Sequence, residues 1–244
     1  MVRSTGNQIM NEVGSIAFNI GTWLIPLTFA IVFHEVAHGR SALWFGDRTA
    51  HEEGRLSLNP IRHVDPIGTV VLPLILAISG APIFGWAKPV PVVPSRMRNP
   101  RWNMVAVAAA GPLSNIILAF LAAFILVAAW PVLSVTQSAG LLFLKANLNN
   151  FIAINLFLAL FNMLPVPPFD GSKVLGGLLP PRLGDRFARL DRYAFPIMLS
   201  LLVVLPLVAP QANIVQNLLI PPFEWAYNIV MSTAGLALGL ILGR

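Results

Sequence analysis

Read for the spacing of apolar and polar positions, the chain resolves into long runs of almost continuous hydrophobicity, separated by short loops that hold most of its charge. The first run, about Val13 to Phe45, is long enough to cross a bilayer with residues to spare. A second, at about 67–85, is broken by Pro73, Gly80, Pro82 and Gly85. A third covers about 104–130 and opens on Ala106, Ala108, Ala109, Ala110 and Gly111, small residues that let helices approach closely. A fourth, about Leu148 to Leu164, gives way to Pro165-Val166-Pro167-Pro168-Phe169-Asp170-Gly171. Two more lie at about 193–208 and 214–242, parted by Pro210. Between the second and third runs, Trp86–Pro94 holds Pro89, Pro91 and Pro94, which cannot continue a helix and push the residues before them to extended geometry. That segment is expected as an edge strand.

Composition sets the class. A chain of 244 residues, 56% hydrophobic and 11% charged with mean hydropathy +0.74, is an all-α integral membrane protein, a polytopic helical bundle of five to six hydrophobic segments. With no repeat, low-complexity tract or linker, residues 1–244 are read as one domain. The absence of cysteine excludes disulfides and thiolate ligands, so any metal falls to His, Asp or Glu. The net charge of +6 comes from loops without basic tracts interleaved with aromatics, which points to the lipid bilayer as partner and away from nucleic acid.

The loops at 46–65, with Arg48, Arg55 and Arg62, and at 173–192 are basic, and short basic loops mark the cytoplasmic side. The first helix is therefore expected to run from outside to inside of a bacterial or archaeal cell membrane, and to be retained rather than cleaved as a signal peptide. The loop at 88–101 is also basic. Two successive basic loops cannot both be cytoplasmic across a single span, so 67–85 is expected as a re-entrant hairpin or a broken pair of spans. Arg182, Arg186 and Arg189 fall at helical spacing, a basic face for anionic lipid or for solvent.

The ionisable groups that do enter the first run are concentrated in Phe33-His34-Glu35-Val36-Ala37-His38-Gly39. On a helix His34 and His38 share one face and can grip a single metal ion, with Glu35 beside them. Neutral imidazoles suit zinc, and a carboxylate that does not bind the metal can take a proton from water and hand it to a leaving amine. With 4 His and 5 Glu in 244 residues, this spacing arises by chance in roughly one such chain in a thousand. The alternative is a pair of core histidines, but ionisable groups at membrane depth are costly without a partner or a task.

Two histidines leave a catalytic zinc site one protein ligand short. Asp170 is the first candidate, since it abuts the end of a transmembrane run on the side of His38; Asp65, beside Pro66, is the second, and Glu224 falls at the opposite end. A helix-end cap is the structural alternative for Asp170. His51 and His63 share no helix turn with another histidine and read as loop residues. Asn115 and Asn162 carry amides into apolar runs, where an unpaired donor costs a few kcal/mol. Each can bond between helices or donate to the oxyanion of a tetrahedral intermediate, with Asn162 favoured by its place two helical turns before Asp170.

Together these residues resemble the site-2 protease family of intramembrane zinc metalloproteases. The likeness covers His34-Glu35-Val36-Ala37-His38 in one segment, Ala110-Gly111-Pro112-Leu113-Ser114-Asn115 in the next, and Asn162-Met163-Leu164-Pro165 through Phe169-Asp170-Gly171 in the third. The resemblance implies a three-helix catalytic core, one Zn2+ per chain held by His34, His38 and Asp170, Glu35 as general base, and Asn162, with Asn115, assisting the transition state. It also implies a transmembrane protein substrate held as an extended strand, with Trp86, Lys88, Val90 and Val92 as its binding residues, because a helical peptide hides the carbonyls a metal must reach. A membrane metal transporter or channel is the alternative; it would spread polar residues along several spans at successive depths, whereas here they gather at one end of the first and fourth segments. An inactive scaffold is a third reading, against which the intact HExxH and Asp170 stand.

Overall fold

A computed structural model describes residues 2–79, 85–135, 138–209 and 214–241. Gly80, Pro82 and Pro210, read above as breaks, lie outside them. The helices are α1 (Val2–Trp44), α2 (Thr49–Glu52), α3 (Leu72–Ser79), α4 (Pro100–Leu133), α5 (Ala139–Asn162), α6 (Asp170–Leu178), α7 (Pro181–Ala188), α8 (Ala194–Leu199), α9 (Leu205–Val208) and α10 (Ile214–Ile241), with short 3-10 and π turns between them.

Three helical stretches are long and apolar enough to cross a membrane: Gly14–Trp44, Pro100–Leu133 and Ala139–Asn162. They pack on one another pairwise, and α10 lies against α4 and α5. Where they meet, Ala119, Ala122, Ala123 and Leu126 of α4 are buried against Ile152 and Leu156 of α5 and Val230 and Ala234 of α10. Small side chains on α4 bring the backbones close, which gives van der Waals contact in a setting where lipid removes the hydrophobic drive between helices. The outward faces carry the large apolar side chains, among them Ile20, Trp23 and Leu24 on α1 and Leu113, Ile117 and Leu121 on α4. Such an inside-out distribution suits a hydrocarbon solvent and marks a membrane protein.

The first and third runs were placed closely, but the fourth was begun too late. α5 starts at Ala139 because the polar residues before 148 are helical rather than loop. Asn147 and Asn149 turn their amides onto the carbonyls of Phe143 and Lys145 one turn back, Asn150 donates to Thr22 O of α1 at 2.8 Å, and the Lys145 ammonium sits 4.5 Å above the Trp130 ring. The stretches at 66–79 and 194–208 are helical with π turns at Pro66–Val71 and Ser200–Val204. Each is only about 20 Å long at 1.5 Å per residue, short of a hydrocarbon core of about 30 Å. Among the described residues three helices are both long and apolar enough to cross a membrane, and α10, at 28 residues, has the length as well.

No strand occurs among the described residues. Residues 85–93 are extended, as their prolines require, yet they join no ladder. Their N–H groups go elsewhere: Trp86 to Gly68 O (3.1 Å), Lys88 to His63 O (2.9 Å), Val90 to the Glu35 carboxylate (2.8 Å) and Val93 to the Asp47 carboxylate (2.6 Å).

Candidate metal centre

The last third of α1 turns His34 and His38 toward α4. There Gly111 leaves room for them, because a Cβ at that position would run into the His38 and His34 rings. Asp170 arrives from the far side as the first residue of α6. The turn that brings it is tight: a Cβ on Gly171 would collide with the Met163 carbonyl at the end of α5. Arg101 of α4 fixes the other end of α6 by donating to the carbonyls of Gly177 and Leu179.

The Nε2 atoms of the two histidines are 3.0 Å apart, and Asp170 Oδ2 lies 3.1 Å from His34 Nε2 and 3.2 Å from His38 Nε2. All three side chains are buried. The outer ring nitrogens are spoken for: His38 Nδ1–H donates to Val107 O at 2.7 Å and His34 Nδ1–H to Asn115 Oδ1 at 2.6 Å. The direction of the second bond is set by Asn115 itself, whose Nδ2 donates to Ala30 O (3.2 Å) and to Asn155 Oδ1 (2.8 Å), while Asn155 in turn donates to Phe151 O. With Nδ1 protonated on both rings, each neutral imidazole points an Nε2 lone pair inward. Two lone pairs and a carboxylate oxygen then face one another across a buried triangle, an arrangement that calls for a cation. Ligands of a tetrahedral zinc bonded at about 2.0–2.1 Å stand about 3.3 Å apart, close to the sides of this triangle, and three protein donors leave a fourth position open. The donor set therefore fits zinc.

Glu35 is half-buried on the same helix; its Oε2 accepts Val90 N–H at 2.8 Å. It lines a cavity of about 1130 Å3 together with His34, His38, Asp170, Trp86, Val90, Val92 and Asn162. Trp86 meets Phe195, which also lines it, edge to face, with ring centroids 6.2 Å apart. Lys88 does not line this cavity; its backbone is tied to His63 and to the Arg55 guanidinium. Asn162 donates to Leu158 O of its own helix at 3.0 Å through one of its two amide protons. Asn115 spends both of its protons on α1 and α5 and has none for an oxyanion.

The other sequence candidates stand apart. Asp65 caps the turn that follows it, accepting from Ile67 and Gly68 N–H. His51 is exposed, and His63, though buried, bonds to Ser57 O. Reasoning from the sequence passed over the work of Asn155, Gly111, Asp47 and Lys173, whose Nζ lies 3.7 Å from Asp170 Oδ1. For Asn155 the signal was present, a second amide in an apolar run on the helix that also carries Asn162.

A buried His-His-Asp set with a carboxylate beside it, inside a bundle of membrane-length helices, defines a membrane metalloenzyme. Comparison with known proteins narrows this. The chain is 40% identical over 187 residues to the "Putative zinc metalloprotease YwhC" of Bacillus subtilis, covering 74% of this chain and 79% of that one. It is 29% identical over 205 residues to Rip2 of Mycolicibacterium smegmatis, which bears the same description, covering 84% and 71%. A shorter match, 48% identical over 69 residues, joins it to MJ0611 of Methanocaldococcus jannaschii, also so described, over 28% of this chain and 31% of that one. No family model and no solved structure matches. The chain belongs to the site-2 protease family of zinc metalloproteases, and its cofactor is Zn2+.

Proposed function

We propose that the protein is an intramembrane protease, hydrolysing peptide bonds in or near the transmembrane segments of other membrane proteins. The observation that carries this reading is the meeting of His34, His38 and Asp170 beside Glu35 at the end of a membrane-length helix, in a cavity lined along one side by the extended segment. His34, His38 and Asp170 hold the zinc. When bound, zinc lowers the pKa of a water toward neutrality and polarises a carbonyl oxygen. Glu35 takes the proton of the attacking water and returns it to the departing nitrogen, a general base and then a general acid. Its Oε2 is steadied by Val90 N–H, which leaves Oε1 for the water. Asn162 offers its remaining amide proton to the developing oxyanion, and Asn115 holds His34 in the tautomer that binds metal.

The substrate unwinds to lie along 86–93, with Trp86, Val90 and Val92 against it, since extended backbone exposes its carbonyls and can pair edge to edge. The basic stretches at 46–65 and 173–192 support a cytoplasmic setting for this end of the bundle, in a protein that crosses the membrane several times.

The test is cleavage of a single-span peptide, co-reconstituted with the purified protein in phosphatidylcholine vesicles and read by mass spectrometry. The parent cuts within or beside the span; Glu35→Gln keeps its zinc and does not cut. Cutting by Glu35→Gln at the parent's rate would overturn the assignment.

A further inference from the structure

The extended segment is held in an unusual way. Between Pro89 and Pro94 the residues that keep an N–H are Val90, Val92 and Val93. Two of these three go to carboxylates rooted in or just beyond α1: Val90 to Glu35 and Val93 to Asp47. Asp47 is fully buried, with its own N–H on Ala42 O of α1 at 2.9 Å, and it also accepts from the Thr49 N–H and hydroxyl. Just upstream, the Arg55 guanidinium is buried and donates to the carbonyls of Arg62, Lys88 and Pro89. Its partners are backbone carbonyls rather than a carboxylate, so the charge is spent on holding chain in place.

The spacing of the prolines makes this a register lock. A slip of one residue in either direction would present Pro89 or Pro91 to Glu35, and neither has an N–H to give. The Val90 side chain seats the segment against α1 at Gly39, where a Cβ would press on Leu56 and Val90.

We propose that Asp47 and Arg55 are positioning residues for the general base: they fix segment 85–93 in the one register that delivers Val90 N–H to the Glu35 carboxylate. The proposal rests on the proteolytic reading of Glu35 given above. Neither residue touches the metal site. Asp47 acts through Val93 and Arg55 through Lys88 and Pro89, on either side of Val90. Removing Asp47 frees the C-terminal half of the segment, and Glu35 loses the donor that orients it.

Because the chain has no cysteine, a single Val90→Cys gives a unique thiol under the seated segment. The test places Asp47→Ala and Asp47→Asn in the full-length zinc-loaded protein. Two readouts are taken: cleavage kinetics on a fluorogenic single-span peptide, normalised to bound zinc, and the maleimide labelling rate of Val90→Cys with and without each Asp47 change. Asp47→Ala should hold zinc as the parent does and lose roughly 10- to 100-fold in kcat, as small displacements of reacting groups do, with KM raised besides because the same segment carries the substrate. Labelling at position 90 should rise about tenfold or more as protection is lost. Asp47→Asn keeps one acceptor oxygen and should recover part of both effects. It carries the test alone should Asp47→Ala fail to fold, and an Asp47→Asn protein equal to the parent in kcat and labelling would then overturn the proposal.

An unchanged kcat per zinc, a rise in KM with kcat intact, or a fall in kcat with unchanged labelling would also overturn it. A parent that binds zinc but cuts no peptide would sink the proteolytic reading instead, while the labelling rates would still decide whether Asp47 holds the segment.

Discussion

Asn115 is the side chain on which the geometry of the site turns, and its replacement by alanine is the perturbation with the clearest arithmetic. It removes the acceptor of His34 Nδ1–H at 2.6 Å and the donors to Ala30 O and Asn155 Oδ1. Loss of such an outer partner of a metal ligand costs about 10- to 100-fold in metal affinity, which is about 1.4–2.8 kcal/mol. The orphaned polar groups, all buried, add about 1–3 kcal/mol of instability for each one that finds no new partner. Asn115→Asp separates these two effects. It keeps an oxygen on His34 Nδ1–H and so should keep zinc within a few-fold of the parent, but it cannot donate to Ala30 or Asn155 and should melt lower, as Asn115→Ala does. The assay is zinc affinity by competition with a chelator, beside thermal unfolding followed at saturating zinc. Should Asn115→Ala bind zinc within threefold of the parent, or Asn115→Asp lose as much affinity as Asn115→Ala, the reasoning that Asn115 acts by orienting His34 fails.

Gly111→Ala should fold, since alanine suits a helix, yet lose zinc by at least about 100-fold, because its methyl would displace both imidazoles; elemental analysis after dialysis reads this directly. Asp170→Ala should reduce about one zinc per chain to a small fraction, with activity lost in proportion. Burial raises the Asp47 carboxyl, but the Thr49 hydroxyl, the Val93 and Thr49 N–H groups and the Arg96 charge outweigh it and hold the group below its ordinary value. A carboxyl depressed on folding contributes stability that is complete above about pH 4 and is lost as pH falls through the folded value. The melting-temperature gap between parent and Asp47→Asn should therefore be widest near neutrality and close under more acidic conditions; a gap that widens on acidification would contradict the bonding described.

The parts of this protein legible in its sequence are those where one residue type has one physical use. Histidines at i and i+4 in an apolar helix can do little but share a ligand, and a carboxylate that follows a proline-rich break at the end of a membrane run must answer to something charged; the structure brings His34, His38 and Asp170 together. Asn115 and Asn155 were harder. An amide in hydrocarbon declares that it has a partner but not which, and only the fold shows the chain from Phe151 through Asn155 and Asn115 to His34. From the sequence α5 starts at Leu148 rather than Ala139, because Lys145 and Asn147 interrupt the apolar run, although Asn147 satisfies itself one turn back and Lys145 covers the Trp130 ring. The extended segment was recognised from its prolines, yet taken for a strand because nothing local tells a ladder from carboxylates supplied by a distant helix.

The proposed ligand triangle also orders events during biosynthesis. His34 and Asp170 stand 136 positions apart in the chain, so the helix bearing the histidines enters the bilayer long before the ribosome has made the third donor. Throughout that interval the nascent polypeptide carries half an active centre and no means of completing it. The hydrolase is thereby kept without its third donor while its own helices are being inserted, and it gains competence only once α4 and α5 are in place and the turn after α5 has closed.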